Sequence, residues 1–199
     1  MRKKAYIVDY NSSNVKSVNK AFVKLGYQIE DDIDAIKDTE TLLIIPGVGH
    51  FGAAMTHLIT KDILKGIKMH HRNGGRILGI CLGMQLMFCS SDEAPGISGI
   101  GLIKGKVNNL KHINKKNINN YTKMHLGWSN TEFLSQKYSH DMYYVHQYFC
   151  EPEDSSIVTH TFSWGDETLC SGLQNNRIIG FQFHPEKSGK AGLDLLDSI

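Results

Sequence analysis

The stretch ILGICLGMQLMFC (77–89) constrains the fold more than any other part of the chain, because a strand-like run passes directly into a helix-like run. Gly79, Gly83 and Gln85 interrupt it, so it falls short of the roughly 18 apolar residues that cross a bilayer. RILGI (76–80) predicts a central buried strand and the residues after it a buried helix. This succession is typical of a parallel sheet covered by helices.

Strand and helix patterns alternate through the first half of the chain. Strands are predicted at AYIVD (5–9) and TLLIIPG (41–47), and helices at FGAAMTHLI (51–59) and DILKGIKMHH (62–71). A first helix, with Asn14 as its cap and Gly26 at its end, is predicted from apolar residues at helical spacing: Val15, Val18, Ala21, Phe22 and Leu25.

The second half has a different pattern. Strand-like segments separated by short polar turns occur at MYYVHQYF (142–149), SIVTHTF (156–162), ETLCSGLQ (167–174) and IIGFQF (178–183). We therefore expect one α/β domain over residues 1–199. Its sheet should be open, mostly parallel and flanked by helices, with antiparallel strands added in the C-terminal half.

Charge and cysteine content exclude several classes of protein. Lys and Arg total 22 against 20 for Asp and Glu, and this net charge of +2 is far from the basic excess of a nucleic-acid binder. The cysteines show no CxxC spacing, so we predict free thiols and no metal site. The apolar run of the N-terminus ends at Asp9, too early for a signal peptide. We expect a cytoplasmic protein with neither a membrane nor a nucleic-acid partner.

One segment, residues 104–123, is rich in Lys and Asn. It is either a basic binding patch or a solvated surface excursion. No aromatic platform accompanies the charges, which favours the surface excursion.

Cys81 lies between two glycines where the predicted strand turns into the helix. Such a turn projects a nucleophile out of the sheet, and glycine is required where the backbones approach each other. The N–H groups at the helix start favour a thiolate, and the Leu82 N–H points toward an oxyanion formed by attack. A lone cysteine on an apolar strand is otherwise a small core residue. The flanking glycines favour the nucleophile.

His184 and Glu186 directly follow a predicted strand, in QFHPEKS (182–188). Residues two apart on an extended chain project to the same side, and Pro185 keeps the segment extended. Glu186 can then orient His184 while the other ring nitrogen faces a sulfur, as in the serine triads. HPE alone fits an exposed turn equally well. Together with Cys81, it predicts a Cys–His–Glu triad.

PGVG (46–49) follows the strand TLLII at what should be the same sheet edge as Cys81. Its glycines allow a backbone N–H to turn toward an oxyanion, or they only make a tight turn. The loop lacks the GK[ST] ending of a phosphate loop.

The other histidines share no ligand spacing, and we assign them no role. His125 in HLGW and His146 in YYVHQY have aromatic and glycine neighbours, which favours packed histidines in an ordered setting.

PGVG, GICLGMQLMF, HLGW, YYVHQY and QFHPEKS occur in the order and spacing of a class I, triad-type glutamine amidotransferase. The resemblance covers nearly the whole chain, and GICLGMQ with a distant FHPE is highly specific for this family. FHPEKS followed by GLDLL resembles the sequence pattern of the family branch that serves histidine biosynthesis. The resemblance implies a flavodoxin-like sheet, L-glutamine as substrate and no cofactor.

The same resemblance assigns roles around Cys81. It implies that Cys81, His184 and Glu186 are the triad and that Leu82 is an oxyanion donor. Residues 47–49 (Gly47, Val48 and Gly49) correspond to the family's oxyanion strand, where a peptide must rotate to present its N–H.

Substrate and partner contacts are implied in the same way. Gln85 and Glu93 match positions that hold the head group and the α-amino group of glutamine, and His146 and Gln147 fall on a substrate-side segment. A (βα)8-barrel cyclase subunit is the implied partner, receiving ammonia by a sealed route. The residues that would face it are Leu126, Trp128, Tyr143 and Lys187.

The chain departs from the family pattern at several positions. DYNSSN (9–14) replaces DYGxGN, Met124 replaces proline, Ser129 replaces asparagine, and Gln147 replaces a small hydroxyl residue. These changes cluster near the elbow and the partner face. A paralogue that supplies ammonia for converting an acetamido sugar to an acetamidino sugar is therefore the close alternative. A thiol hydrolase or peptidase of the same fold and a non-catalytic subunit are more distant alternatives.

Overall fold

The computed structural model describes residues 3–10, 14–113, 124–135 and 138–199. Strands and helices alternate through the first half: β1 (Lys4–Ile7), α1 (Val15–Lys24), β2 (Gln28–Glu30), β3 (Leu42–Ile45), α2 (Phe51–Thr60), α3 (Ile63–Arg72), β4 (Ile77–Ile80) and α4 (Leu82–Leu86).

Strands dominate the second half. They are β5 (Ser90–Ser91), β6 (Gly105–Asn109), β7 (His125–Phe133), β8 (Tyr138–His146), β9 (Tyr148–Pro152), β10 (Val158–Trp164), β11 (Glu167–Asn175) and β12 (Ile178–Phe181), followed by α5 (Gly189–Asp197). Short 3-10 turns cover Ile33–Lys37, Leu110–His112, Ser155–Ile157 and Pro185–Lys187.

Within the described ranges, the large sheet has nine strands in the order β2-β1-β3-β4-β12-β11-β10-β7-β8. Strands β2, β1, β3, β4 and β12 pair in parallel, and β12, β11, β10, β7 and β8 pair antiparallel. The predicted α/β sheet with antiparallel strands in the C-terminal half is therefore confirmed. A smaller sheet, β5-β6-β9, lies beside it and was not predicted.

The prediction of one strand over 142–149 is wrong. The chain bends at Gln147, so β8 ends in the large sheet and β9 begins in the small one. The apolar pattern continues across the bend, because His146 is buried before it and Phe149 after it. Periodicity alone therefore gave no sign of the change of sheet.

The basic segment at 104–123 is only partly described. Its first part forms β6, which pairs with β9 and buries Val107, so these residues are not a surface excursion. Residues 114–123, like 11–13 of the DYNSSN departure, lie outside the described residues.

Strand β3 shows why the central strands are apolar throughout. Leu43 and Ile45 pack into the core that includes α2, α3 and α4, whereas Leu42 and Ile44 pack into the core with α1 and α5. Both faces of this strand are covered, as expected for a parallel strand between helix layers. No helix in the described ranges is long and apolar enough to span a membrane.

Register brings three chain segments to one edge of the sheet. Ile45 pairs with Gly79 and Ile80 pairs with Phe181, so the residues that follow β3, β4 and β12 emerge side by side. This edge is where open α/β sheets bind their ligands.

We expect Gly83→Ala to destabilise the protein by about 1–3 kcal/mol, the usual cost of overpacking. A Cβ at Gly83 would lie 1.8 Å from the carbonyl oxygen of Ile45. Gly66→Ala is the matched helical control, since its nearest contact is the end of the Ile36 side chain at 3.0 Å. Urea unfolding of both variants measures the difference. Equal free energies of unfolding for the two variants would contradict this account of the contact.

Candidate active site

Cys81 occupies a strained turn between β4 and α4. Its backbone has φ 53° and ψ −109°, a conformation that residues other than glycine rarely adopt. A Cβ at Gly79 would lie 2.8 Å from the backbone of Gly83, and a Cβ at Gly83 would lie 1.8 Å from the Ile45 carbonyl oxygen. Neither glycine therefore has room for a side chain. The structure thus places Cys81 on the sharp turn predicted from the sequence.

The side chains of His184 and Glu186 are fully buried and in direct contact. Nδ1 of His184 lies 2.8 Å from Oε1 of Glu186. The predicted contact is present, but the predicted extended backbone is wrong, because Pro185 begins a 3-10 turn over Pro185–Lys187. Ser188 stabilises this turn by donating its hydroxyl to the His184 carbonyl at 2.7 Å.

The His184 ring carries a positive charge at neutral pH. Burial lowers its pKa, but the charge on Cys81 and the hydrogen bond and charge of Glu186 outweigh burial and raise the pKa to about 10. Nε2 is buried, and a hydrogen bond between the His184 and Cys81 side chains also contributes to the raised pKa.

Asn14 contacts the same carboxylate oxygen of Glu186 as His184 does. Its amide donates to Oε1 of Glu186 at 3.2 Å, and the residue is buried. Asn14 does stand at the N-cap position of α1, but its side chain makes no capping hydrogen bond there. Nothing in the sequence connects two residues 172 positions apart, so this contact was missed.

The PGVG loop lies against the start of α4. The N–H of Leu82 donates to the carbonyl oxygen of Gly47 at 3.3 Å. The hydroxyl of Tyr10, which is buried under the loop, donates to the carbonyl of Pro46. In this conformation the Leu82 N–H is hydrogen-bonded to the Gly47 carbonyl oxygen. It is therefore not available to donate to an oxyanion.

A cavity of about 270 Å³ opens beside Cys81. It is lined by Val48, Gly49, Cys81, Leu82, Gln85, Glu93, Met124, Val145, His146, Gln147 and Tyr148. The structure therefore brings the predicted substrate residues together, except Gly47, which does not line the cavity. The volume suits a small substrate.

A second cavity, of about 830 Å³, is larger but lies elsewhere. Arg76 and Arg177, which line it, stand at the beginnings of β4 and β12. It is thus at the opposite end of these strands from Cys81, and the Cys81 side chain does not reach it.

The side-chain amides of Gln85 and Gln182 form a hydrogen-bond chain that ends at the Cys81 sulfur. Nε2 of Gln85 donates to the Tyr148 carbonyl at 3.0 Å and to Oε1 of Gln182 at 3.1 Å. Nε2 of Gln182 then donates to Sγ of Cys81 at 3.7 Å. Gln182 is fully buried and was missed, since proximity to His184 was its only signal.

Glu93 places a negative charge on the cavity wall, and its carboxylate lies against the N-terminus of helix α2. Its Oε2 accepts the N–H of Phe51 at 2.7 Å. Helix N-termini favour anions, so this contact holds the carboxylate in place. A fixed carboxylate in a small cavity can pair with a ligand's ammonium group.

His125 and His146 are buried, as expected of packed histidines. Burial, and for His146 also the neighbouring His125, lowers their pKa values to about 4 and about 3. Both rings are therefore neutral at neutral pH, in contrast to His184.

The residues predicted to face a partner form one exposed patch, which we call the docking patch: Leu126, Trp128, Tyr143 and Lys187. Leu126 and Trp128 are 63% and 57% exposed, which is unusual for large apolar side chains. The Trp128 and Tyr143 rings meet edge to face at 5.9 Å. Lys187 Nζ lies 5.9 Å from the centre of the Tyr143 ring.

Outside the site, the cysteines are free thiols. Cys150 and Cys170 are small buried residues, whereas Cys89 is exposed.

Comparisons with known proteins agree with this geometry. The chain matches the family described as glutamine amidotransferase class-I over residues 6–197. A solved glutamine amidotransferase covers 97% of this chain and 96% of its own, with TM-score 0.73 and 13% identity. PurLQS from Thermotoga maritima covers 100% and 98%, with TM-score 0.74 and 19% identity. At these identities the structures establish the fold.

Sequence relatives are more similar. The imidazole glycerol phosphate synthase subunit HisH of Prochlorococcus marinus (strain MIT 9312) is 37% identical, over 96% of this chain and 94% of the relative. The subunit of the same name from Thermotoga maritima is 34% identical, over 97% and 94%. The chain belongs to the class I glutamine amidotransferase family and, within it, to the same family as these HisH subunits.

We expect the His184 ring to stay protonated well above neutral pH, because its pKa is raised to about 10. It should lose its proton only as the pH rises toward that value, whereas an unperturbed histidine loses it near about 6.5. Histidine-selective NMR from about pH 6 to 9 measures the charge. His160, whose pKa burial lowers to about 4, is the internal control and should remain neutral.

Two variants identify the cause of the raised pKa. Cys81→Ala and Glu186→Gln each remove a charge that favours the imidazolium, so His184 should titrate at lower pH in both. A parent His184 that titrates near its ordinary pKa would show that these charges do not act as described.

Proposed function

We propose that this protein is the glutaminase subunit of an imidazole glycerol phosphate synthase. It hydrolyses L-glutamine to glutamate and ammonia, and passes the ammonia to a cyclase subunit that makes imidazole glycerol phosphate and AICAR. The observation that carries the chemistry is Cys81 on its strained turn, backed by the buried His184–Glu186 pair and opening onto a small cavity. The named relatives support the choice of pathway.

The first half of the reaction releases ammonia. The Cys81 thiolate attacks the carboxamide carbon, a carbon–sulfur bond forms, and the carbonyl oxygen takes the negative charge. His184, already protonated, gives its proton to the amide nitrogen. The carbon–nitrogen bond then breaks, leaving ammonia and a glutamyl thioester on Cys81.

The second half regenerates the enzyme. His184, now neutral, accepts a proton from water as the water attacks the thioester carbon. The carbon–sulfur bond breaks, glutamate leaves, and the thiolate is restored beside the imidazolium. Asn14 and Glu186 keep the ring oriented through both steps.

The oxyanion needs a rearrangement of the PGVG loop. In the described conformation the Gly47 carbonyl accepts the Leu82 N–H. The Gly47 carbonyl and the Val48 N–H belong to one peptide plane, so rotation of this plane withdraws the oxygen and presents the Val48 N–H. Leu82 and Val48 would then donate to the oxyanion together. Gly49, with φ 138°, allows the adjoining backbone to adjust. The conformation described is accordingly a resting one.

The docking patch is the surface we assign to the partner, a (βα)8-barrel cyclase. Its exposed apolar and aromatic side chains have the composition expected at the centre of an interface, and Lys187 lies beside Tyr143. It also adjoins the site, since the Val145 carbonyl, on strand β8 beside Tyr143, lies 3.9 Å from Sγ of Cys81. Ammonia released there can pass to the partner without entering bulk water.

A cytoplasmic location fits this assignment. The reaction requires Cys81 as a free thiol, and the cysteines of the chain are unpaired. A reducing compartment maintains that state.

We expect strong stimulation of glutamate release when the protein is mixed with the cyclase subunit from the same source and its nucleotide substrate. Cys81→Ala should abolish glutamate release, yet leave intact the ammonia-dependent activity of the complex. Cys89→Ala, which changes the exposed thiol, is the matched control and should behave like the parent. A coupled enzymatic assay of glutamate measures the rate of glutamate release by all three proteins.

The same experiment separates the alternatives. If a cyclase that is itself active with ammonia does not stimulate glutamate release, the sugar-amidation paralogue is favoured. That alternative is then tested by replacing the cyclase with a sugar synthase. Equal glutamate release by Cys81→Ala and the parent would overturn the triad.

Tyr10→Phe should raise glutaminase activity in the absence of the partner by about fivefold. The variant removes the hydroxyl that holds the Pro46 carbonyl, and a typical hydrogen bond is worth about 1 kcal/mol, so the loop should rotate more often. Tyr27→Phe is the control, since Tyr27 is equally buried but packs against Phe22. Unchanged basal activity in Tyr10→Phe would show that this tether does not restrain the loop.

A further inference from the structure

A chain of hydrogen bonds leads from strand β7 toward the active site. The Ser129 hydroxyl lies 2.7 Å from Nε2 of His125, and Nδ1 of His125 lies 3.1 Å from Nε2 of His146. Nδ1 of His146 in turn lies 2.8 Å from the carbonyl oxygen of Tyr148. Both rings are buried, so these contacts are shielded from water.

Each hydrogen bond in this chain has a defined direction. The Tyr148 carbonyl can only accept, so Nδ1 of His146 carries the proton. Both rings are neutral, because burial lowers their pKa values to about 3 and about 4. Nε2 of His146 therefore accepts from His125, and Nε2 of His125 accepts from the Ser129 hydroxyl. The Tyr148 carbonyl thus fixes the proton positions on both rings, and the Ser129 hydroxyl donates at the outer end of the chain.

The chain continues to the nucleophile. The carbonyl of Tyr148 that accepts from His146 also accepts from Nε2 of Gln85 at 3.0 Å. Gln85 donates to Gln182, which donates to Cys81 Sγ. A displacement at His146 thus changes the position of the Tyr148 carbonyl, and with it the amides that contact the sulfur.

Strand β7 carries this chain on one face and the docking patch on the other. Leu126 and Trp128 point outward, whereas His125 and Ser129 point toward the core, as strand alternation requires. Any shift of β7 when a partner binds Trp128 therefore moves Ser129 and His125 as well.

Packing keeps the His125 ring from absorbing such a shift by rotation. Its ring is stacked on Tyr144, with centroids 4.3 Å apart and planes 15° apart, and on Phe162 at 5.0 Å. The ring and its strand move together, and the hydrogen bond to His146 transmits the movement.

We propose that Ser129 and His125 are positioning residues that act through His146 to couple the docking patch to Cys81. The proposal rests on the proposed function, since it gives that patch a means of controlling glutamine hydrolysis. Neither residue lines the cavity beside Cys81. Their role is to hold the Tyr148 carbonyl, and hence Gln85 and Gln182, where the sulfur needs them.

The test compares Ser129→Ala, which removes the donor, with Ser129→Thr, which keeps a hydroxyl. In the partner complex, Ser129→Ala should lower kcat for glutamine at least fivefold, with KM and the partner Kd changed less than twofold. Ser129→Thr should restore kcat. An unchanged kcat in Ser129→Ala, or a loss explained by weaker partner binding, would overturn the proposal.

Histidine variants provide a second comparison. His125→Phe keeps the aromatic stacking but removes both hydrogen bonds, and it should lower kcat as Ser129→Ala does. His160→Phe is the control, since His160 is also a buried neutral histidine but bonds only Thr159 in the described structure. It should retain the parent kcat. Equal loss in both variants would indicate general damage to the core and count against the relay.

A readout that does not need turnover separates this proposal from the proposed function. The rate of Cys81 alkylation by iodoacetamide, followed by mass spectrometry, should fall at least threefold in Ser129→Ala, while exposed Cys89 reacts at the parent rate. A parent without glutaminase activity but with this dependence would refute the function and keep the relay. An active parent with equal Cys81 rates in both proteins would refute the relay alone.

Discussion

The close approach of α4 to the end of β3 is the contact on which the site depends. Gly83 lies against the Ile45 carbonyl with no room for a Cβ, and this contact brings Leu82 within reach of the PGVG loop. The same approach forces Cys81 into its strained backbone conformation. Cys81 and the PGVG loop are therefore positioned by one piece of backbone packing, before any side chain contributes.

Charge then divides the buried histidines into two groups. His184 faces the charges of Cys81 and Glu186, which outweigh burial and raise its pKa to about 10. His146 has no such counter-charge among the causes of its shift, and burial lowers its pKa to about 3. Burial alone makes a histidine neutral. One ring is thus protonated, and the other is an uncharged member of a hydrogen-bond chain.

Most of the architecture could be predicted because its signals are local. Parallel strands covered on both faces must be apolar throughout, and the cysteine turn requires glycine on both sides. The break between β8 and β9 at Gln147 could not be predicted, since apolar residues continue across it. The contacts of Asn14 and Gln182 were missed for a different reason. Each contact joins residues about 100 or more positions apart, and no local pattern records such a pair.

The sequence by itself determined the fold class and placed Cys81 on a sharp turn, because these follow from periodicity, glycine placement and short motifs, and it predicted Cys81 and His184 as nucleophile and base. Only the tertiary structure decided that the Leu82 N–H is occupied by Gly47, and that Ser129 is connected to Cys81. The physical reason is that a hydrogen bond depends on distance and direction between groups on separate elements. Those quantities are set by how the strands and helices pack, after each element has formed.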